Sequence, residues 1–432
     1  MKRRDFVKFG LISAGIAASP YILPSGRLFA SSGKRKANHV VFCLFAGGVR
    51  NIESVQMSEG NLMPFTLKGN HSISSDILSG MSKLPIGFGK TLQEQGTLFK
   101  EFRFSKGSTG HVPGLVTAIT GNYFTGGVSA KKRTTVPTLF ELYRKHSSPE
   151  KSALNAWFVA DRSDPMHFFN YSEHPVYGHG FGGNFIHPFP ILGRYNKSEI
   201  GDPYSLKNKE EQQIIQIAEI LDKHFVSGKN KINALFHNSP EDAEKISAFI
   251  KQSNSDGFAG LHNDPWKIGE QVMNSDCYNI HYAELILKEF QPELLFVNML
   301  DIDKGHTDFT VYCDNIRKAD YALSHLWNTI QSTPGLRNDT VLIAVPEHGR
   351  NLIPNSIRDS YGRLALDHTS DETSREIFCL VLGPENVIRQ NVVIPNIVGE
   401  SIDVVPTIAD ILGFRNEIEA PLKGRVLEEV FV

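Results

Sequence analysis

The run Phe296–His306, FVNMLDIDKGH, places the tightest constraint on the fold: an apolar stretch of strand length stops abruptly at two acids, a glycine and a histidine. A strand exposed on one face alternates apolar with polar residues. A run without that alternation is covered on both faces, as in mostly parallel sheets flanked by helices. The acids then stand at the strand's C-terminal tip. In open α/β sheets the loops at such tips are exposed while the strands beneath hold them rigidly, and ligands bind there. Gly305 permits a tight turn that brings Asp301 and His306 toward one ion.

Four more runs are short, apolar and rich in β-branched or aromatic residues: 39–46, 154–160, 340–345 and 377–382. Helical patterns lie between them at 135–146, 309–332 and 402–412. Strands alternating with helices predict an α/β, three-layer sandwich with a mostly parallel central sheet and helices on both faces. The segment 162–290 breaks this rhythm. Its first part, 162–193, is crowded with aromatics, glycines and four histidines, His167, His174, His179 and His187, while 207–228, 240–253 and 265–290 read as polar-faced helices. We expect this segment to be an inserted cap, a substrate region over or beside the sheet's C-terminal edge, leaving 38–161 and 291–432 as the core. The four histidines are candidates for a further metal or for an anionic substrate, or else pack as amphipathic side chains.

A second strand exit repeats the first: the run 340–345 leads into Pro346, Glu347, His348, Gly349 and Arg350. A third acid and histidine pair, Asp367 and His368, precedes the run 377–382. Oxygen and nitrogen donors of this kind suit zinc, manganese or similar divalent ions.

Composition and the N-terminus bound the remaining possibilities. With 432 residues, 41% hydrophobic, 21% charged and a net charge of −2, the chain has the balance of a globular protein, and no basic excess points to nucleic acid. Lys2, Arg3 and Arg4 precede a small-residue apolar stretch from Phe9 to about Leu23, followed by Ala30, Ser31 and Ser32. This pattern reads as a twin-arginine signal peptide over 1–32, addressed to the export machinery of a bacterium and to the periplasm or the medium. Gly10, Gly15, Ser19 and Pro20 break the stretch, which falls short of the roughly 20 apolar residues a membrane span needs. No stable span is therefore expected after processing. Four dispersed cysteines, Cys43, Cys277, Cys313 and Cys379, show no CxxC pairing and no support for a thiolate zinc site.

Taken in order, these motifs resemble those of the alkaline phosphatase superfamily, which includes phosphodiesterases, sulfatases and phosphomutases. Asp301 with Gly305 and His306 is similar to its strand-end Asp and Gly-His; Tyr312 to Asp320 to its helix carrying a tyrosine and an aspartate; Glu347, His348 and Gly349 to its Asp-His-Gly; and His368 to its distal histidine. The run 403–413 and Lys423 to Arg425 look like its closing helix and tail. The segment Lys106 to Gly121 is similar to the turn and helix that carry its nucleophile. The resemblance implies Ser108 as nucleophile, with Thr109 second, although Ser and Thr are also the usual helix N-caps. It implies one metal on Asp301, His306 and His368 and another on Glu347, His348 and the nucleophile, with zinc, manganese or calcium as the ion and one or two ions in all. Arg350, or Lys304, would stabilise charge on the transferring group, each being equally readable as a solvated or paired side chain.

Two departures stand out. The family's first strand ends in a metal-binding aspartate, whereas here Gly47, Gly48, Val49 and Arg50 follow the strand, with Asn51 and Glu53 as weak substitutes, and Glu347 replaces an aspartate. The expected activity is hydrolysis of an anionic small-molecule or glycan ester, phosphate before sulfate, because no Cys/Ser-x-Pro-x-Arg motif lies near Ser108. The alternative is a catalytically degenerate relative that binds an anionic glycan, lipid or protein.

Overall fold

A computed structural model describes residues 33–69, 79–85, 89–124, 132–147, 153–160, 169–186, 239–258, 264–269, 272–369, 371–418 and 422–432. The expected signal peptide, the helix expected at 207–228, His167 and His187 lie outside them. In chain order the main elements are β1 (His39–Phe45), β2 (Gly96–Arg103), α1 (His111–Thr120), α2 (Leu139–His146), β3 (Ala156–Ala160), β4 (Asn184–Ile186), α3 (Pro240–Phe258), α4 (Ser275–Phe290), β5 (Leu294–Met299), α5 (Phe309–Ser332), β6 (Thr340–Pro346), β7 (Glu376–Leu382), β8 (Val392–Glu400) and α6 (Val404–Ile411).

The strands form one sheet in the order β4-β3-β5-β1-β6-β7-β2-β8. From β4 to β6 every pair is parallel; β7 runs antiparallel to both neighbours, and β8 is parallel to β2. Alternate residues of β1 show why the sheet needs two covers. Val40, Phe42 and Leu44 pack into a core with residues of α1, α2 and α6, whereas Val41, Cys43 and Phe45 pack into a second core with residues of α4 and α5. Helices therefore cover both faces, as the unbroken apolar runs require. All four cysteines are buried and unpaired, behaving as small apolar residues.

Two pieces of the stretch 162–290 belong to this framework. The strand β4 extends the sheet beyond β3, and α4 lays Cys277, Ile280, Ala283, Ile286 and Leu287 into the second core. The loop carrying His174 and His179 is held against α2 by the buried Glu141, which accepts hydrogen bonds from Ser172 and Gly178. Among the described residues no helix is long and apolar enough to cross a membrane.

Register is what positions the site. Phe45 at the end of β1 pairs with Met299 of β5 on one side and with Pro346 of β6 on the other. Three adjacent parallel strands thus end at one level, and their exits meet.

Candidate metal centre

After β5 the chain does not turn at once but winds into a short 3₁₀ helix, Asp301–His306. In such a helix residues i and i+3 lie one above the other, so Asp303 shares a face with His306: Asp303 Oδ1 is 3.2 Å from His306 Nε2. Asp301, the acid expected at the tip, is directed elsewhere. It belongs to neither ligand cluster, and its Oδ2 accepts from the Asp276 backbone N–H at 3.3 Å. Asp303 takes the place that the sequence reading gave to Asp301.

From β6, Glu347 and His348 enter fully covered, at 2% and 0% exposure. Glu347 is a methylene longer than the aspartate expected there, and the room for it comes from Gly114 on α1, where any Cβ would collide with the Glu347 side chain. The β1 exit contributes no carboxylate or imidazole to either cluster. Gly47 and Gly48 have φ of +98° and +80°, and a Cβ at 48 would run into the His348 ring; Gly47 instead donates its N–H to Glu347 Oε2 at 3.1 Å. Glu53 does not fill the gap, since it pairs with Arg50 in a buried ion pair, while Asn51 is buried with neither side-chain polar atom in a hydrogen bond.

The remaining ligand is one the sequence reading passed over. His111, the first residue of α1, lies between the two exits with Nε2 2.8 Å from Asp303 Oδ1 and Nδ1 3.0 Å from Glu347 Oε2. It completes two clusters of potential ligands: His111, Asp303, His306 and His368, and His111, Glu347 and His348. Its position at a helix start, three residues after Ser108, was the available signal.

Second contacts fix which nitrogen each histidine offers. His348 Nδ1 lies 2.8 Å from the Gly349 carbonyl and His368 Nδ1 2.6 Å from the Thr109 carbonyl. Each Nδ1 must therefore donate, leaving a lone pair on Nε2. Both Nε2 atoms are buried without a hydrogen-bond partner, and a buried polar nitrogen left unpaired is costly unless something binds it. His306 Nδ1 is held by Asp367 at 2.8 Å, the carboxylate–histidine arrangement that orients metal-binding imidazoles.

Contact distances agree with this reading. Two ligands at about 2.0–2.1 Å from one tetrahedral ion stand about 3.3 Å apart, and the His306–Asp303 and His348–Glu347 pairs are separated by 3.2 and 3.4 Å. The His111–Asp303 approach, though short, is misaligned for an N–H donor. The residues present fit a divalent ion.

Without one, the charges arrange themselves around His111. Burial alone would lower its pKa, but Asp303 and Glu347 on either side raise it to about 10. Burial would raise Glu347, yet His111 and His348 bring it to about 2, and the same kind of contest, with His111 and His306 as partners, holds Asp303 far below the carboxylate range. Burial, followed by the neighbouring positive groups, depresses His368 to about 2 and lowers His348. A protonated His111 thus balances two carboxylates, while His348 and His368 stay neutral and ready to coordinate.

The expected catalytic residues separate. Ser108 is exposed, with its Oγ accepting from the Gly110 N–H at 3.3 Å. Thr109 is buried, and its hydroxyl donates to the His368 carbonyl, so that Thr109 and His368 lock each other in place. Arg350 is fully buried and takes the paired one of the two readings open to it. It donates to the carbonyls of Gly48, Leu366 and Ile302 and to Asp303 Oδ1, tying the exits of β1 and β5 to its own. Lys304 is exposed. His174 and His179 lie beside Tyr177 and Tyr171 and in neither cluster.

No protein-family profile matches the sequence, and no curated protein does. Solved structures are similar over most of the chain. A protein of the alkaline phosphatase superfamily from Vibrio parahaemolyticus matches at 13% identity and a TM-score of 0.44, over 96% of this chain and 77% of its own. A mutant of the alkaline phosphatase PafA matches at 10% and 0.49, over 92% and 99%. A 2-O GAG sulfatase matches at 11% and 0.46, over 92% and 74%.

Proposed function

We propose that the chain is an exported, metal-dependent hydrolase of anionic esters, phosphate before sulfate, with zinc as the ion and Ser108 as the nucleophile. The observation that carries the reading is the pair of buried, unpartnered Nε2 atoms on His348 and His368, each beside a carboxylate at a strand exit. Imidazole-rich donor sets with few carboxylates favour zinc over calcium.

Of the two hydroxyls, Thr109 is committed to the His368 carbonyl, which leaves Ser108 as the one able to reach a substrate. The N-terminus of α1 presents backbone N–H groups to the ester's negative oxygens. Ser108 Oγ attacks the phosphorus, the alcohol leaves, and water then releases the phosphate from the serine. A bound divalent ion would supply charge neutralisation on the ester and a lowered pKa for the attacking hydroxyl or water. Arg350 holds Asp303 and the three exits in register. Substrate choice falls to the loops around the sheet edge, including the 162–290 stretch.

The glycine pair at the β1 exit favours a second reading, a catalytically silent protein that binds an anionic glycan, lipid or protein partner. Metal content by elemental mass spectrometry, together with an ester panel on the wild type, Ser108→Ala and Thr109→Ala, separates the two. The hydrolase reading expects bound zinc, hydrolysis abolished by Ser108→Ala and retained by Thr109→Ala. Metal-free protein with no hydrolysis, or hydrolysis indifferent to Ser108→Ala, would overturn it.

A further inference from the structure

Four imidazoles meet at the three strand exits, and three of them have one nitrogen committed to an anchoring oxygen. His348 is anchored by the Gly349 carbonyl, His368 by the Thr109 carbonyl and His306 by Asp367. Each can therefore offer only Nε2. His111 differs: its two nitrogens face the two different ligand carboxylates, Nε2 toward Asp303 and Nδ1 toward Glu347.

We propose that His111 bridges a two-metal centre, giving Nε2 to an ion held with Asp303, His306 and His368 and Nδ1 to a second ion held with Glu347 and His348. The inference rests on the metal-binding reading of this site and adds its architecture. A ring that gives both nitrogens would do so as an imidazolate, its N–H protons passing to solvent.

Three features support the bridge over simpler arrangements. The two clusters share His111 and no other residue. Were His111 to serve the first cluster alone, the second would keep only Glu347 and His348, fewer than the three protein ligands of ordinary catalytic zinc sites. Finally, His111 is placed by backbone: it is the first residue of α1, and Gly114 on the next turn lies directly against Glu347, so helix and carboxylate are in fixed contact on the Nδ1 side of the ring.

The bridge makes the two ions unequal. The first has four protein ligands and is closed, whereas the second has three and keeps a position for the ester or the attacking oxygen. Metal–nitrogen bonds of about 2.0–2.1 Å on opposite sides of one ring also keep the ions farther apart than the about 3.5–4 Å of common two-metal hydrolytic sites. One ion then does the chemistry while the other braces it.

Cobalt(II) tests this directly, because two paramagnetic ions joined through one imidazole ring couple magnetically and separate ions do not. The full chain, stripped of metal and titrated with cobalt, should bind two equivalents, with the paramagnetic resonance signal per cobalt falling as the second equivalent enters. His111→Gln should bind fewer ions and lose the coupling. Two uncoupled ions in the wild type, a single equivalent, or coupling that persists in His111→Gln would each overturn the bridge. The wild-type measurement decides the matter even if the variant fails to fold. Coupled ions without ester hydrolysis would keep the bridge and remove the hydrolase reading; hydrolysis with uncoupled ions would do the reverse.

Discussion

The two ligand clusters share a histidine but live in different surroundings. On one side the side chains of Asp303 and His306 are 26% and 33% exposed, and Asp367 behind them is 43% exposed; the remaining ligand there, His368, is buried at 3% and behaves like the sealed residues. On the other, Glu347 and His348 are sealed at 1% and 0%. Water can replace a lost partner on the open side, whereas on the sealed side each loss strands a charge or a lone pair in the interior. The same chemistry is thus expected to tolerate change on one side of His111 and to resist it on the other.

The largest expected effect is on the pH dependence of the metal-free protein, where both sides act together. His111, at about 10 against an ordinary 6.5, supplies stability that is complete below about pH 6.5 and is lost as pH rises through 10. His368 has the opposite sign: held near 2 against 6.5, it leaves the unfolded chain binding a proton that the folded chain refuses, so stability falls as pH drops below 6.5. Glu347, near 2 against 4.5, adds to the loss as pH falls from 4.5 through 2. Urea midpoints should therefore peak near neutrality and decline on both sides. A flat profile would show that the open side exchanges its partners with water as readily as the sealed side keeps them.

Arg350→Met should come next. It strips Asp303 and three carbonyls of their donor at a fully buried site, a loss of about 3–5 kcal/mol in denaturant unfolding. Little change would mean that the strand exits hold one another without it.

Gly114→Ala strikes the sealed side alone. Alanine is the better helix former, so a destabilisation of about 1–3 kcal/mol would come from pressing on Glu347. Equilibrium dialysis should show metal lost from the Glu347 and His348 cluster and kept by the other.

Asp367→Asn is the matching change on the open side. Loosening the carboxylate behind His306 should weaken metal binding about 10–100-fold while leaving unfolding midpoints almost unchanged. An effect on stability as large as that of Gly114→Ala would erase the distinction between the sides.

Strands β1, β3, β5, β6 and β7 were legible because burial on both faces writes itself as an unbroken apolar run. Two strands on the far side of the sheet were not. In β2 the run is interrupted by Lys100 and Glu101, and β8 contains Pro395 and Gly399 and is largely exposed, as an edge strand can be. The helix α1 was legible only through the resemblance of 106–121 to a nucleophile-bearing turn and helix; its residue pattern did not announce it, because Pro113 and Gly114 depress helix propensity, Pro113 being tolerated in the first turn and Gly114 admitting Glu347. At the site, His306, Glu347, His348 and His368 were readable as acids and imidazoles at strand ends. Asp303 and His111 were not, because choosing Asp303 over Asp301 requires knowing that the turn is a 3₁₀ helix, and nothing local to His111 says that α1 aims it between two strands far away in sequence. Arg350 was legible as important but not as to its role, since adjacency to ligands looks the same whether a guanidinium faces substrate or carbonyls.

The glycines after β1 bear on the substitutions open to this chain. Position 48 has a left-handed backbone and the His348 ring where a side chain would go. An aspartate placed there would meet both backbone strain and a collision, so a carboxylate can enter at that position only if the β6 exit shifts with it; the backbone of one exit thereby dictates which side chains its neighbour can accept.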